Sequence, residues 1–327
     1  MKIVAGLGAV DDYIKLARAG ADEVFLGYVP YEWTKKYGTL FPLNRREVIY
    51  YNVQVTSFDD MKILKRMVDV YKVPVTITFN YIYYIEEQYE FIVEIMKKLI
   101  DIGFNEFIVA DLAFLLYLKE KNLKCKIHLS GECAELNTLS MNFLNDFNIS
   151  RYIFHRKNSI EDMRECIKNN NIENLQYEAF MLNERCHYTG AFCSSLHCDE
   201  MIHLCKMEYI MAKTTADAAD FRKVDDKFEK YYEEEDCVEE SYFKDDEKKH
   251  IIGESRCGLC ALKKLKDAGI THLKVVGRGN FADFMEKDIK GLRKALEILE
   301  KNEDNFNYEY SIKQELFNNK CSKHCYY

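Results

Sequence analysis

Several things are scarce in this chain, and each scarcity removes a class of explanation. Of 327 residues only three are proline and fourteen glycine, so no Pro-rich or Gly/Ser-rich linker strings independent modules together. No apolar run approaches the roughly eighteen residues a membrane helix needs. The opening MKIVAGLGAVDDY meets Asp11 and Asp12 before a signal-peptide core can develop. Positive charge is short as well: 46 Lys+Arg against 54 Asp+Glu leave a net charge of −8. That disfavours autonomous nucleic-acid binding, though a local basic groove stays possible. The expected setting is the cytoplasm, away from membranes, where twelve cysteines do not make a disulfide framework. Hydrolytic signatures are missing too. There is no His-Glu-x-x-His, the nearest approach being Glu200 to His203 in the wrong order, and no Gly-x-Ser-x-Gly.

What is present is enough apolar residue, 48%, to bury a sizeable core, arranged as short β-branched runs alternating with longer helical patterns. Strands are expected at Lys2–Leu7, Glu23–Gly27, Val73–Asn80, Glu106–Ala110, Lys126–Ser130, Arg151–Phe154, Leu175–Met181 and His272–Val276. Helices are expected between them, for example at Phe58–Tyr71, Ile85–Ile102 and Leu112–Lys121. Alternation at steps of ~25 residues calls for a parallel sheet, and about eight strands suit a closed (β/α)8, TIM-like barrel. An open doubly wound sheet is the runner-up. Residues 1–300 form one barrel domain on this reading, interrupted at about 206–256 by an acidic insertion before the last strand. Residues 301–327 form a polar tail, partly disordered.

Chemistry in such folds gathers at the strand C-termini. There the sequence sets Asn80, Asp111, Ser130, Glu132, Asn137, His155, Arg156, Glu184 and Arg278. Gly277-Arg278-Gly279-Asn280 reads equally as an anion-binding turn or as a surface turn with a solvated arginine. Arg45 and Arg46 carry the same two readings and hint at an anionic substrate. His155 and His187 read as structural or substrate-contacting histidines.

The densest signal is in the cysteines, seven of the twelve falling between residues 186 and 260. Soft thiolates bind iron–sulfur clusters or zinc. Cys186, Cys193, Cys198 and Cys205 are spaced irregularly, with Cys257 and Cys260 a distant pair, which fits zinc poorly and a loop-wrapped cluster better. On one straight helix Cys186 and Cys193 would stand ~10.5 Å apart, so Gly190 between them suggests a folded loop. Cys125, Cys133, Cys166 and Cys237 read as buried thiols, and Cys321, His324 and Cys325 as part of the loose tail.

Two segments resemble the collagenase-like peptidase U32 family. Tyr177-Glu178-Ala179-Phe180 followed by Cys186 and Cys193 resembles its Glu-x-Phe strand and Cys-x6-Cys. Cys257 followed by LKKLKDAGITHLKVVGR resembles its last βα unit. Echoes run through AGADEVFLG, ITFN and HLS, so the likeness spans roughly residues 1–290. Departures occur where the family has Gly-Ala and this chain Glu184-Arg185, and where Val276 replaces a glutamate.

The resemblance implies a [4Fe-4S] cluster held by Cys186, Cys193, Cys205 and Cys257, with Cys198 and Cys260 as alternates and zinc as the alternative metal. It implies oxygen-independent hydroxylation or related redox chemistry on a small molecule or RNA, with an anionic hydroxyl donor such as prephenate. Candidate catalytic residues are Glu178, His155, Arg156 and Arg278. A collagenase-like peptidase, or a metal-binding accessory protein working with a partner subunit, are the other readings.

Overall fold

The computed structural model describes residues 1–38, 41–47, 53–133, 136–170, 172–183, 214–215, 218–219, 250–253, 255–302, 304–319, 321 and 323–327. The strands in chain order are β1 (Lys2–Leu7), β2 (Glu23–Tyr28), β3 (Gln54–Val55), β4 (Val75–Phe79), β5 (Glu106–Val109), β6 (Lys126–Leu129), β7 (Ile149–Ile153), β8 (Gln176–Leu182), β9 (Thr214–Thr215), β10 (Ala218–Ala219) and β11 (His272–Val275). Parallel pairing runs β1, β2, β4, β5, β6, β7, β8, β11 and returns to β1, so eight strands close into a barrel. The pair β3 extends β2 at its carboxyl end, Gly27 opposite Gln54. Strands β9 and β10 belong to a separate compact unit, Ile202–His250, where they form a two-stranded antiparallel sheet. Apart from these and residues 250–253, 255 and 256, the acidic insertion lies outside the described residues.

Most barrel helices start shortly after a strand ends, and the sequence marks the joint. Ser57 caps α3 (Phe58–Tyr71), Asp111 caps α5 (Leu112–Lys121), Asn137 caps α6 (Thr138–Leu144) and Ser159 caps α7 (Ile160–Lys168), each accepting a backbone N–H of the first turn. The remaining helices are α1 (Tyr13–Ala19), α2 (Tyr31–Tyr37), α4 (Glu86–Asp101), α8 (Leu262–Asp267), α9 (Ala282–Lys301) and α10 (Asn305–Glu315). Their apolar faces cover the outside of the barrel in one continuous core that includes Leu26, Ile77, Ile92, Phe107 and Leu292.

The inside of the barrel is built in layers because inward positions recur every second residue. The lowest is ionic. Arg151 donates to Glu23 (2.6 Å) and Glu178 (2.9 Å), Lys274 donates to Glu178 (2.7 Å), and His272 pairs with Glu23 (3.2 Å). Above it Val4, Phe25, Ile108, Ile153 and Phe180 form a small apolar layer, joined by Tyr326. The tail expected to be loose is partly ordered: α10 buries Tyr308 and Ile312 against the barrel, and the last residues enter its mouth.

Candidate functional site

Above the apolar layer the barrel mouth is lined by arginines. Arg278 leaves the loop after β11 and is only 7% exposed. Its Nη1 donates to the Thr78 hydroxyl (3.2 Å), whose one proton is shared between the Leu26 carbonyl (3.1 Å) and Asn44 Oδ1 (2.6 Å). Strand glycines make room for it: a Cβ at Gly27 would stand 2.6 Å from Arg278 Nη1. Gly277 supplies the turn, with φ of +138° that other residues rarely adopt. Arg45 is held by its backbone N–H to Asn80 Oδ1 (3.1 Å) and faces Glu132 across 3.6 Å. Arg156 donates to the other oxygen of Glu132 (2.8 Å) and lies 4.1 Å over the Phe180 ring. Arg46 reaches the same corner, 3.0 Å from where a Cβ on Gly279 would be.

The charges shape one another. Burial, then the neighbouring Arg46, lowers Arg278 to about 10, so it remains cationic at neutral pH. Glu47 behaves oppositely: burial raises it to about 7, against backbone N–H groups of Asn44 and Leu43 and the charge of Arg278. The mouth therefore offers fixed cations beside one carboxyl able to exchange a proton near neutrality, a combination suited to an anionic ligand.

Next to this rim stands Cys257. It bridges antiparallel to Leu182 at the end of β8, while Gly258 N–H donates to the Met181 carbonyl (2.8 Å). Asn183 directly follows that strand, and in sequence Cys186 follows Asn183 by three positions. Burial pushes the Cys257 thiol up to about 12. A thiol in that state is no free nucleophile at neutral pH. Among the described residues no three His, Cys, Asp or Glu groups are arranged to hold a metal.

The sequence model of peptidase family U32 matches residues 8–327. The chain belongs to peptidase family U32. No curated protein sequence matches it. Solved structures similar to this U32 chain include the U32 peptidase Mk0906, with 8% identity, 55% of this chain and 69% of that one covered, and a TM-score of 0.42. A dihydrodipicolinate synthase shares 11% identity over 97% of this chain and 81% of its own, at a TM-score of 0.45. The YdjI aldolase from Escherichia coli K12 shares 9% over 91% and 90%, at 0.40. The barrel assignment stands on the closed strand order itself.

Of the residues expected at the strand ends, Asn80, Glu132, Arg156, Arg278 and the Arg45–Arg46 pair are brought together in the U32 barrel mouth. Arg278 is buried, which excludes the solvated-arginine reading. His155 is fully buried beside them, its Nδ1 accepting from the Lys157 N–H (3.2 Å). Asp111 and Asn137 are helix caps. Glu178 sits one layer lower, fully buried between Arg151 and Lys274, with the apolar layer between it and the mouth. Cys186, Cys193, Cys198, Cys205, Cys237, His187 and Glu184 lie outside the described residues. Cys260 is partly buried beside Cys257. Sequence reasoning missed Glu47, Thr78 and Asn44; the signal for Glu47 was its place directly after Asn44-Arg45-Arg46. No helix among the described residues is long and apolar enough to cross a membrane.

Proposed function

We propose that this U32 protein carries a [4Fe-4S] cluster at the barrel mouth. There it performs oxygen-independent hydroxylation, or related redox chemistry, on a small anionic molecule or an RNA in the cytoplasm. The observation that supports this best is the buried Arg278, flanked by Arg45, Arg46 and Arg156, in a mouth whose edge is Cys257. Cys186, Cys193, Cys205 and Cys257 would hold the cluster, with Cys198 and Cys260 as alternates, and zinc the alternative metal. Bound there, the cluster supplies one-electron redox chemistry. The chain's own part is to bind and orient. Arg278 and Arg156 receive an anion, such as the hydroxyl donor; Glu132 fixes the arginines; Glu47 holds or releases a proton beside them.

Small anions are favoured over RNA by the net charge of −8 and by the gathering of Arg45, Arg46, Arg156 and Arg278 at one end of the barrel rather than along a surface stripe. The peptidase reading rests on the family name, and an accessory role beside a partner subunit remains the third. A test is to compare small metabolites and RNA from cells with and without the gene, grown without oxygen, by mass spectrometry. The reading predicts a product lacking one oxygen atom when the gene is absent, restored by the wild-type chain and not by Arg278→Gln. Gelatin cleavage by iron-free protein would support the peptidase reading instead.

A further inference from the structure

Asn183 stands directly after β8, 6% exposed, with a left-handed φ of +73°. Its backbone N–H donates to the carbonyl of Arg256 (3.1 Å), the residue before Cys257. Its side-chain Nδ2 donates to the carbonyl of Val276 (2.8 Å), which leads into Gly277 and Arg278, and to Asp288 Oδ2 (2.9 Å) on α9. One residue thus grips the chain immediately before Cys257 and two positions before Arg278. Both gripped segments lie past regular pairing. The ladders of β11 with β1 and β8 end at Val275, and Cys257 meets β8 at an isolated bridge to Leu182.

The chemistry of the partners fixes which way the amide faces. A carbonyl and a carboxylate both accept, so the atom between them is the NH2 group, and both its protons are spent. Asp288 is fully buried, so an amide that swung away would leave that carboxylate short of a donor. The backbone turn alone does not call for this side chain. Glycine adopts a left-handed φ at least as readily as asparagine, so what the side chain adds is the pair of bonds and not the turn.

We propose that Asn183, oriented by Asp288, is a positioning residue that holds the Arg278 turn and the Cys257 turn in one setting. This rests on the mouth being an anion site, as proposed above, and not on the cluster. With the amide gone, the Val276 carbonyl is released and the guanidinium loses its setting. Asn183 keeps its backbone hold on Arg256 but loses its own anchorage, so both turns loosen together.

The test uses the full chain with inorganic phosphate as the probe. Asn183→Gly keeps the backbone turn and removes the amide; calorimetry is expected to show phosphate bound about tenfold more weakly than by wild type. Added to Arg278→Gln, the same change is expected to weaken phosphate by less than about twofold further, since its effect passes through Arg278. Asp288→Asn retains an acceptor oxygen for the amide and is expected to stay within about twofold of wild type, whereas Asp288→Ala should bind about fivefold more weakly. Hydrogen exchange reads the two turns directly. The Asn280 amide, bonded to the Gly277 carbonyl, and the Gly258 amide, bonded to the Met181 carbonyl, are expected to quicken together about tenfold in Asn183→Gly. The Phe114 amide across the barrel, bonded to Asp111, should exchange as in wild type. Phosphate binding that is unchanged in Asn183→Gly but weakened in Arg278→Gln overturns the proposal. So does an equal loss in both backgrounds, or exchange that quickens at Phe114 as much as at the two turns, either of which marks a merely structural role. If Arg278→Gln binds phosphate as wild type does, the anion-site reading fails instead, and the exchange pattern alone decides whether Asn183 holds the two turns. If Asn183→Gly does not fold, the Asp288→Ala and Asp288→Asn pair carries the same comparison.

Discussion

Gly27 and Arg278 explain each other. An arginine crossing from the last strand's loop needs a strand surface without a Cβ, and Gly27 leaves that space. Gly27→Ala should push the guanidinium off Thr78, weaken binding of phosphate about tenfold and cost roughly 1–3 kcal/mol in chemical denaturation. One layer down, Glu178 is held well below its ordinary value, near 2. Burial opposes this, but the charges of Lys274 and Arg151 prevail. A carboxylate depressed by folding stabilises the native state fully above its unfolded value, and that contribution is lost as pH falls from about 4.5 toward 2. Glu178→Gln should therefore destabilise at pH 7 by about 3–5 kcal/mol, as a broken buried pair does. Between pH 4.5 and 2 its stability should fall less steeply than that of wild type. Equal slopes in both proteins would show that folding does not lower the Glu178 carboxyl. Residue types announced the mouth better than the layer below: Arg278 stood at an expected strand end, and Arg45–Arg46 in an excursion at the strand tops. Glu178 became a catalytic candidate through the family resemblance, and sequence periodicity gives a side chain's face and not its depth in the barrel.

The barrel strands were legible because each couples a β-branched run to a turn or cap residue, as in Phe107-Ile108-Val109 followed by Asp111. Three elements were not. Helix α2 has seven residues and one fully buried anchor, Trp33, whose Nε1 donates to the Phe41 carbonyl (3.0 Å); a single turn of apolar spacing leaves no periodic signal. The pair β3 is two residues long. Helix α10 read as polar because its buried contacts are Tyr308 and Ile312, four apart, with the Tyr308 hydroxyl donating to the Leu259 carbonyl (2.8 Å). That contact ties the tail to the unit carrying Cys257. Tyr308→Ala should cost about 3–5 kcal/mol, and hydrogen exchange should show the amides of α10 opening first; uniform exchange across the chain would place the helix outside the cooperative core.

At the scale of the whole molecule, a closed barrel delivers cations, a proton-exchanging carboxyl and a half-buried thiol to one end, and carries an ionic layer below them that fixes the strands. The cluster was the part read from cysteine spacing and family resemblance, and most of its proposed ligands fall in residues 184–213, beyond what the fold's periodic signals reach. The most direct measurement is iron and acid-labile sulfide content, with visible absorption, of the chain purified without oxygen, beside Cys257→Ser. The account predicts about four irons and four sulfides per chain and a broad visible band in the wild type, both lost in Cys257→Ser while the fold persists. Zinc in place of iron, or a Cys257→Ser protein that keeps its iron and colour, would contradict it.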